Sequence, residues 1–166
     1  MKIRKITFAA LLTAAALGMF LIEAQLPALT PVPGVKPGLS NIVTLFCLYT
    51  LGGRWALRIL LCRILLGSLL TGQVSALAYS LSGGLAALAL SCLLRRFIPP
   101  AQLWVISAFS AMAHGLGQLC CAVLITGTPA LFAYLPVLLL SGILSGAFTG
   151  AAARAVLVRL EGRFVF

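Results

Sequence analysis

Apolar runs fill this chain so completely that a lipid bilayer, rather than a core hidden from water, has to serve as its solvent. Six runs can be delimited, at approximately 6–26, 39–52, 55–71, 74–94, 102–126 and 129–158. Helices of about 20 apolar residues span a hydrocarbon layer, and 166 residues leave almost nothing over for a water-soluble module. With 62% of residues hydrophobic and 8% charged, the reading is one transmembrane domain over residues 1–166. The expected fold is an all-α integral membrane bundle of six transmembrane helices. The second run is short, strongly apolar only over 42–51. It needs tilt, or an ordered loop before it, to cross a core about 30 Å thick.

The net charge of +10 does not point to nucleic acid, because the cations are not gathered on one patch. Lys2, Arg4 and Lys5, then Arg54 and Arg58, then Arg95 and Arg96, then Arg154, Arg159 and Arg163 fall between apolar runs, always on the same side. By the positive-inside rule that side is cytoplasmic, and both termini lie there. The turns at 71–73 and 127–129 then face outward, as does a long loop from Pro27 to Asn41. The first run resembles a signal peptide, but it lacks a small-residue cleavage site and is read as a retained helix. These features predict a multi-pass protein of the bacterial cytoplasmic (inner) membrane.

The outward loop carries four of the eight prolines, and Pro33-Gly34 and Pro37-Gly38 read as successive turns. Ser40 and Asn41 have the chemistry of N-caps for the helix that follows. The segment is either a rigid external connection or the lid of a ligand site. Lys36 is its single cation.

Ionisable groups inside the spans are few. Arg63 lies eight residues from the 71–73 turn and Gln118 about as far from the 127–129 turn, each roughly 12 Å deep at 1.5 Å per residue. His114 shares the face of Gln118, one turn deeper. A buried arginine requires a negative partner, and two are open: Glu23, giving an internal ion pair, or an anionic ligand. The residues marked for ligand contact are Lys36, Asn41, Arg63, His114 and Gln118. On the first helix Ala10, Ala14 and Gly18 form a small-residue face for close approach of another helix, of this chain or of a partner subunit. Gly142, Gly146 and Gly150 form a second such stripe, and Pro136 is expected to kink the last helix.

Catalysis is not expected. The chain has no aspartate and two glutamates, Glu23 and Glu161, whereas Mg-diphosphate chemistry needs clustered carboxylates. No phosphate-binding glycine loop or Ser/His/Asp set is present. Cys47, Cys62, Cys92, Cys120 and Cys121 lack metal-ligand spacing and read as small packing residues, so neither metal nor cofactor is expected.

The segments PVPGVKPGLSNIVTL (31–45), RILLGSLLTGQ (63–73) with Tyr79 after it, AHGLGQL (113–119) and GTPALFAYLPVLLLSG (127–142) resemble the bacterial Gx transporter family. Members of that family are often labelled heptaprenyl diphosphate synthase component I. The family in turn resembles the substrate-binding S components of energy-coupling-factor transporters. That resemblance implies six helices, a long first loop over an outward-facing pocket, and a first-helix face that docks a coupling subunit. Ala10, Ala14 and Gly18 match such a face. Lys36, Asn41, Arg63, His114 and Gln118 fall within the family motifs, and Pro37 stands where a larger apolar residue is expected. The implied function is uptake of an anionic or amphipathic small molecule with coupling and ATPase partners. The alternatives are a non-catalytic membrane subunit beside a prenyl diphosphate synthase in quinone or isoprenoid metabolism, and a structural subunit of a membrane redox assembly.

Overall fold

The computed structural model describes residues 2–25, 38–72 and 75–160, and these form an all-helical bundle. Its six α-helices are α1 (Lys2–Gln25), α2 (Ser40–Thr50), α3 (Gly53–Thr71), α4 (Ser75–Leu94), α5 (Leu103–Thr126) and α6 (Leu135–Leu160). Short 3-10 turns at Pro100–Gln102 and Pro129–Tyr134 lead into α5 and α6. By length and composition four segments can cross a membrane: Ile3–Gln25, Leu77–Leu94, Pro100–Thr126 and Pro129–Leu160. The remaining two differ for separate reasons. At 11 residues α2 is about 16 Å long, roughly half a hydrocarbon core. Helix α3 has the length but carries Arg54, Arg58 and Arg63.

Neighbouring helices run in opposite directions. Phe8 meets Phe46 edge-on while Glu23 meets Gly38, which orients α1 against α2. Gly53 lies against Cys92 and Gly84 against Leu60 and Ile64, orienting α3 against α4. Ser91 and Ser110 join α4 to α5 at 2.6 Å, and Ser107 and Thr149 join α5 to α6 at 3.0 Å. Hydroxyl pairs of this kind satisfy polar groups that lipid cannot.

The closest packing is at the α5–α6 seam. A Cβ on Gly146 would stand 2.6 Å from the Ala108 backbone, and one on Gly150 would stand 2.6 Å from Trp104 Cα. The glycine stripe is therefore an internal contact between these two helices. Pro136 does not kink α6: it is the second residue of that helix, where a missing N–H leaves no hydrogen bond unmade. What precedes it is the 3-10 turn rather than a continuous helix.

Short α2 is the hub, touching α1, α3, α4 and α6. Its buried residues include Cys47 and Leu48, packed with Ala56, Ile59 and Leu60 of α3, and Leu45, packed with Leu103, Ile106 and Ala153. Arg95, at the end of α4, donates from Nη1 to the Leu48 carbonyl at 3.0 Å. A cation at a helix C-terminus answers both the free carbonyls and the negative dipole end. This end of the bundle is closed.

Candidate ligand-binding cavity

Because α2 fills only part of the bundle's length, a space is left beyond its N-terminus. A cavity of about 640 Å³ lies there, its floor made by Gly38, Ser40 and Asn41. Its walls are the C-terminal half of α1, the C-terminal half of α3, the start of α4, the C-terminal half of α5 and the first half of α6. None of the arginines at 54, 58, 95, 154 and 159 borders it, so the cavity occupies the end of the bundle poor in positive charge. Its volume is in the range of small-molecule sites.

Arg63, Asn41, His114 and Gln118 all border this cavity, and so does Glu23. Lys36, together with the rest of the 27–37 loop and Gln73, lies outside the described residues. Counting depths from two different turns thus brought residues of α3 and α5 to one place. The helix positions follow from local packing. Gly83 has no side chain, so His114 and Gln118 lie directly against it; a Cβ there would stand 2.7 Å from Gln118 Cγ and 3.1 Å from His114 Cε1. Gly117, on the same turn, packs on the Ser82 backbone. The imidazole lies against Gly83, and its Nδ1 has no hydrogen-bond partner among the described residues.

Arg63 is 5% exposed. Its Nη1 donates to Ser40 Oγ, while Nε has no hydrogen-bond partner among the described residues. Glu23 is also 5% exposed, and its Oε1 accepts the backbone N–H of Gly38. Glu23 lies within electrostatic reach of Arg63, yet no ion pair within 4 Å joins them among the described residues. Each instead ties its own helix to the entry of α2. Direct pairing, one of the two expected partners for Arg63, is therefore replaced by two separate anchors on one short segment.

That segment also differs from the expected cap. Leu39 holds the N-cap position with helical dihedrals and no side-chain bond, and Ser40 is the first residue of α2. A hydroxyl gains more from a guanidinium donor than from a neutral amide, so Ser40 serves Arg63. The turn is closed by backbone bonds from Asn41 N to the Gly38 carbonyl at 2.9 Å and from Ile42 N to the Leu39 carbonyl at 3.1 Å. Gly38 adopts φ +70°, a conformation that favours glycine. The N-terminal, positive dipole end of α2 thus faces the cavity.

The remaining lining is mixed. Ser68, Tyr79, Ser141 and Ser145 bring hydroxyls, while Phe20, Leu119, Leu131 and Leu138 bring apolar surface. From sequence Ser40 reads only as a cap, and the α6 serines carry no mark. Serines in lipid-spanning helices commonly bond their own backbone, as Ser141 does to the Leu138 carbonyl, and nothing in their spacing separates a cavity wall from a helix contact.

On α1, Ala10, Ala14 and Gly18 are exposed, and a Cβ on Gly18 would meet nothing within 4 Å. The rest of the described chain leaves this face uncovered. Cysteines 47, 62, 92, 120 and 121 are unpaired, and no cluster of three or more metal-ligating side chains occurs among the described residues.

A family model described as heptaprenyl diphosphate synthase component I matches residues 12–156. The chain belongs to that family. The match runs from the middle of α1 to the C-terminal part of α6, so it takes in all of the described cavity wall. No curated protein and no solved structure matches the chain. With its four long apolar helices, this component I chain is a membrane protein.

Proposed function

We propose that this protein is a membrane-embedded small-molecule binding subunit of S-component type, which captures an anionic or amphipathic substrate and relies on partners for energy. The observation that carries this reading is a buried, under-bonded guanidinium on the wall of a cavity of about 640 Å³. Among the described residues no carboxylate pairs with it within 4 Å and its Nε has no hydrogen-bond partner, so a ligand anion has a reason to bind there. In this reading the chain crosses the bilayer six times, α2 and the segment before it together making the second crossing. The cavity then opens outward, because the basic clusters sit at the other end. The exposed Ala10, Ala14 and Gly18 face is where a coupling subunit would dock, with ATPase subunits beyond it.

The family description favours a second reading, a non-catalytic membrane component beside a prenyl diphosphate synthase subunit. In both readings the chain itself is no enzyme, since Glu23 and Glu161 are its two carboxylate side chains and lie at opposite ends of the fold's chain order. Native mass spectrometry of the purified protein separates the readings. A carrier retains a small molecule in the wild type and loses it in Arg63→Gln, with little change in ligand-free melting temperature. Wild-type protein that carries no small molecule, or retention unaffected by Arg63→Gln, overturns the binding role of this cavity.

A further inference from the structure

The family description makes a diphosphate the obvious cargo, but the charges around the cavity argue against it. Among the described lining residues there is one cation, Arg63, and one carboxylate, Glu23, both buried. Arg63 has five N–H donors and, among the described residues, gives one bond, to Ser40, which leaves donors free for one acid group. Glu23 is fixed in place by the Gly38 amide and lies within electrostatic reach of the same guanidinium. Among the described lining residues, a head with three negative charges would find one cation to answer it and a buried carboxylate to repel it. Like charges brought together out of water are strongly disfavoured. A neutral head, conversely, offers no charged acceptor to the Arg63 Nε, which has no hydrogen-bond partner among the described residues.

We infer that the cavity selects amphipathic molecules with a single negative charge, seated at Arg63 and excluded from higher charge by Glu23. The apolar body of such a ligand runs along Phe20, Leu119, Leu131 and Leu138. The inference rests on the binding role proposed above and narrows it to a monoacid, such as a carboxylate.

Three probes with one hydrocarbon tail test it: geraniol, geranate and geranyl diphosphate, titrated into the full-length protein in nanodiscs. One charge-assisted hydrogen bond corresponds to about tenfold or more in affinity, so geranate should bind at least about tenfold tighter than either of the others. Arg63→Gln should remove that advantage, and Glu23→Gln should narrow the gap between geranate and the diphosphate. The wild-type ranking alone decides the matter should either variant fail to fold. Equal binding of the three, or preference for the diphosphate, overturns the charge selection while leaving a small-molecule carrier standing. Failure to hold any of the three overturns it too, and whether the chain retains some other molecule is then answered separately by the native mass measurement.

Discussion

The two ends of this bundle are made from the same helices and are built in opposite ways. At the closed end α5 and α6 approach until glycine backbones touch, α2 fills the centre, and Arg95 seals its C-terminus. At the hollow end α2 is missing, and the space is bordered by a guanidinium, a carboxylate, an imidazole and hydroxyls. Shortening one central helix is enough to turn half of a packed bundle into a container. The polar groups are affordable there because they face a cavity rather than lipid.

The contrast predicts that one kind of substitution has different consequences in the two halves. Gly146→Ala places a methyl group 2.6 Å from backbone atoms of Ala108 and Ser107, neither of which is a flexible side-chain end. It should cost about 2 kcal/mol or more and lower the melting temperature in detergent sharply. Gly67→Ala meets the Phe20 ring at 2.7 Å, and that ring borders open space into which it can move. Its stability cost should stay below about 1 kcal/mol, while the ring, pushed aside, weakens binding of geranate. Equal destabilisation by the two variants would show that the hollow end is packed as tightly as the closed one.

A smaller effect is expected at the hydroxyl pair of the seam. Ser107→Ala removes a partner of Thr149, but Thr149 still reaches the Gly146 carbonyl at 3.1 Å. The loss should be about 0.6 kcal/mol, the usual size for interhelical hydrogen bonds in membranes. A loss several times larger would make the hydroxyls, rather than the glycines, the main hold between these helices.

The smallest intrinsic effect belongs to Ala14→Leu, because Ala14 is exposed and its enlargement displaces nothing. Melting temperature should not change, whereas co-purification of a coupling subunit should be lost. A bound partner that tolerates leucine here would remove this face from the docking proposal.

The sequence shows some of this architecture directly and conceals the rest. Apolar runs mark the six helices, and the last of them also takes in the 3-10 turn at Pro129–Tyr134. Equal residue counts from two turns point Arg63 and Gln118 to one level, because helical rise converts counts into distances, and both border one cavity. The hollow itself is implied by the shortness of the second run, a consequence that appears once α2 is known to be central. Ser40 looked like a cap and instead bonds Arg63, since propensity describes a serine's local options and not a cation 23 residues away. Pro136 looked like a kink because the preceding 3-10 turn, 129–134, is as apolar as a helix. Whether Ala10, Ala14 and Gly18 meet this chain or another could not be read from spacing; the fold leaves them uncovered.

The most direct test of a hollow end built to capture from outside is its sidedness in intact cells. In a background with the five native cysteines replaced, Thr128→Cys stands beside the cavity's 3-10 wall and Arg95→Cys at the closed end. An impermeant maleimide should label Thr128→Cys and spare Arg95→Cys until the membrane is permeabilised. Labelling of Arg95→Cys with Thr128→Cys protected would turn the cavity toward the cytoplasm and contradict uptake from outside.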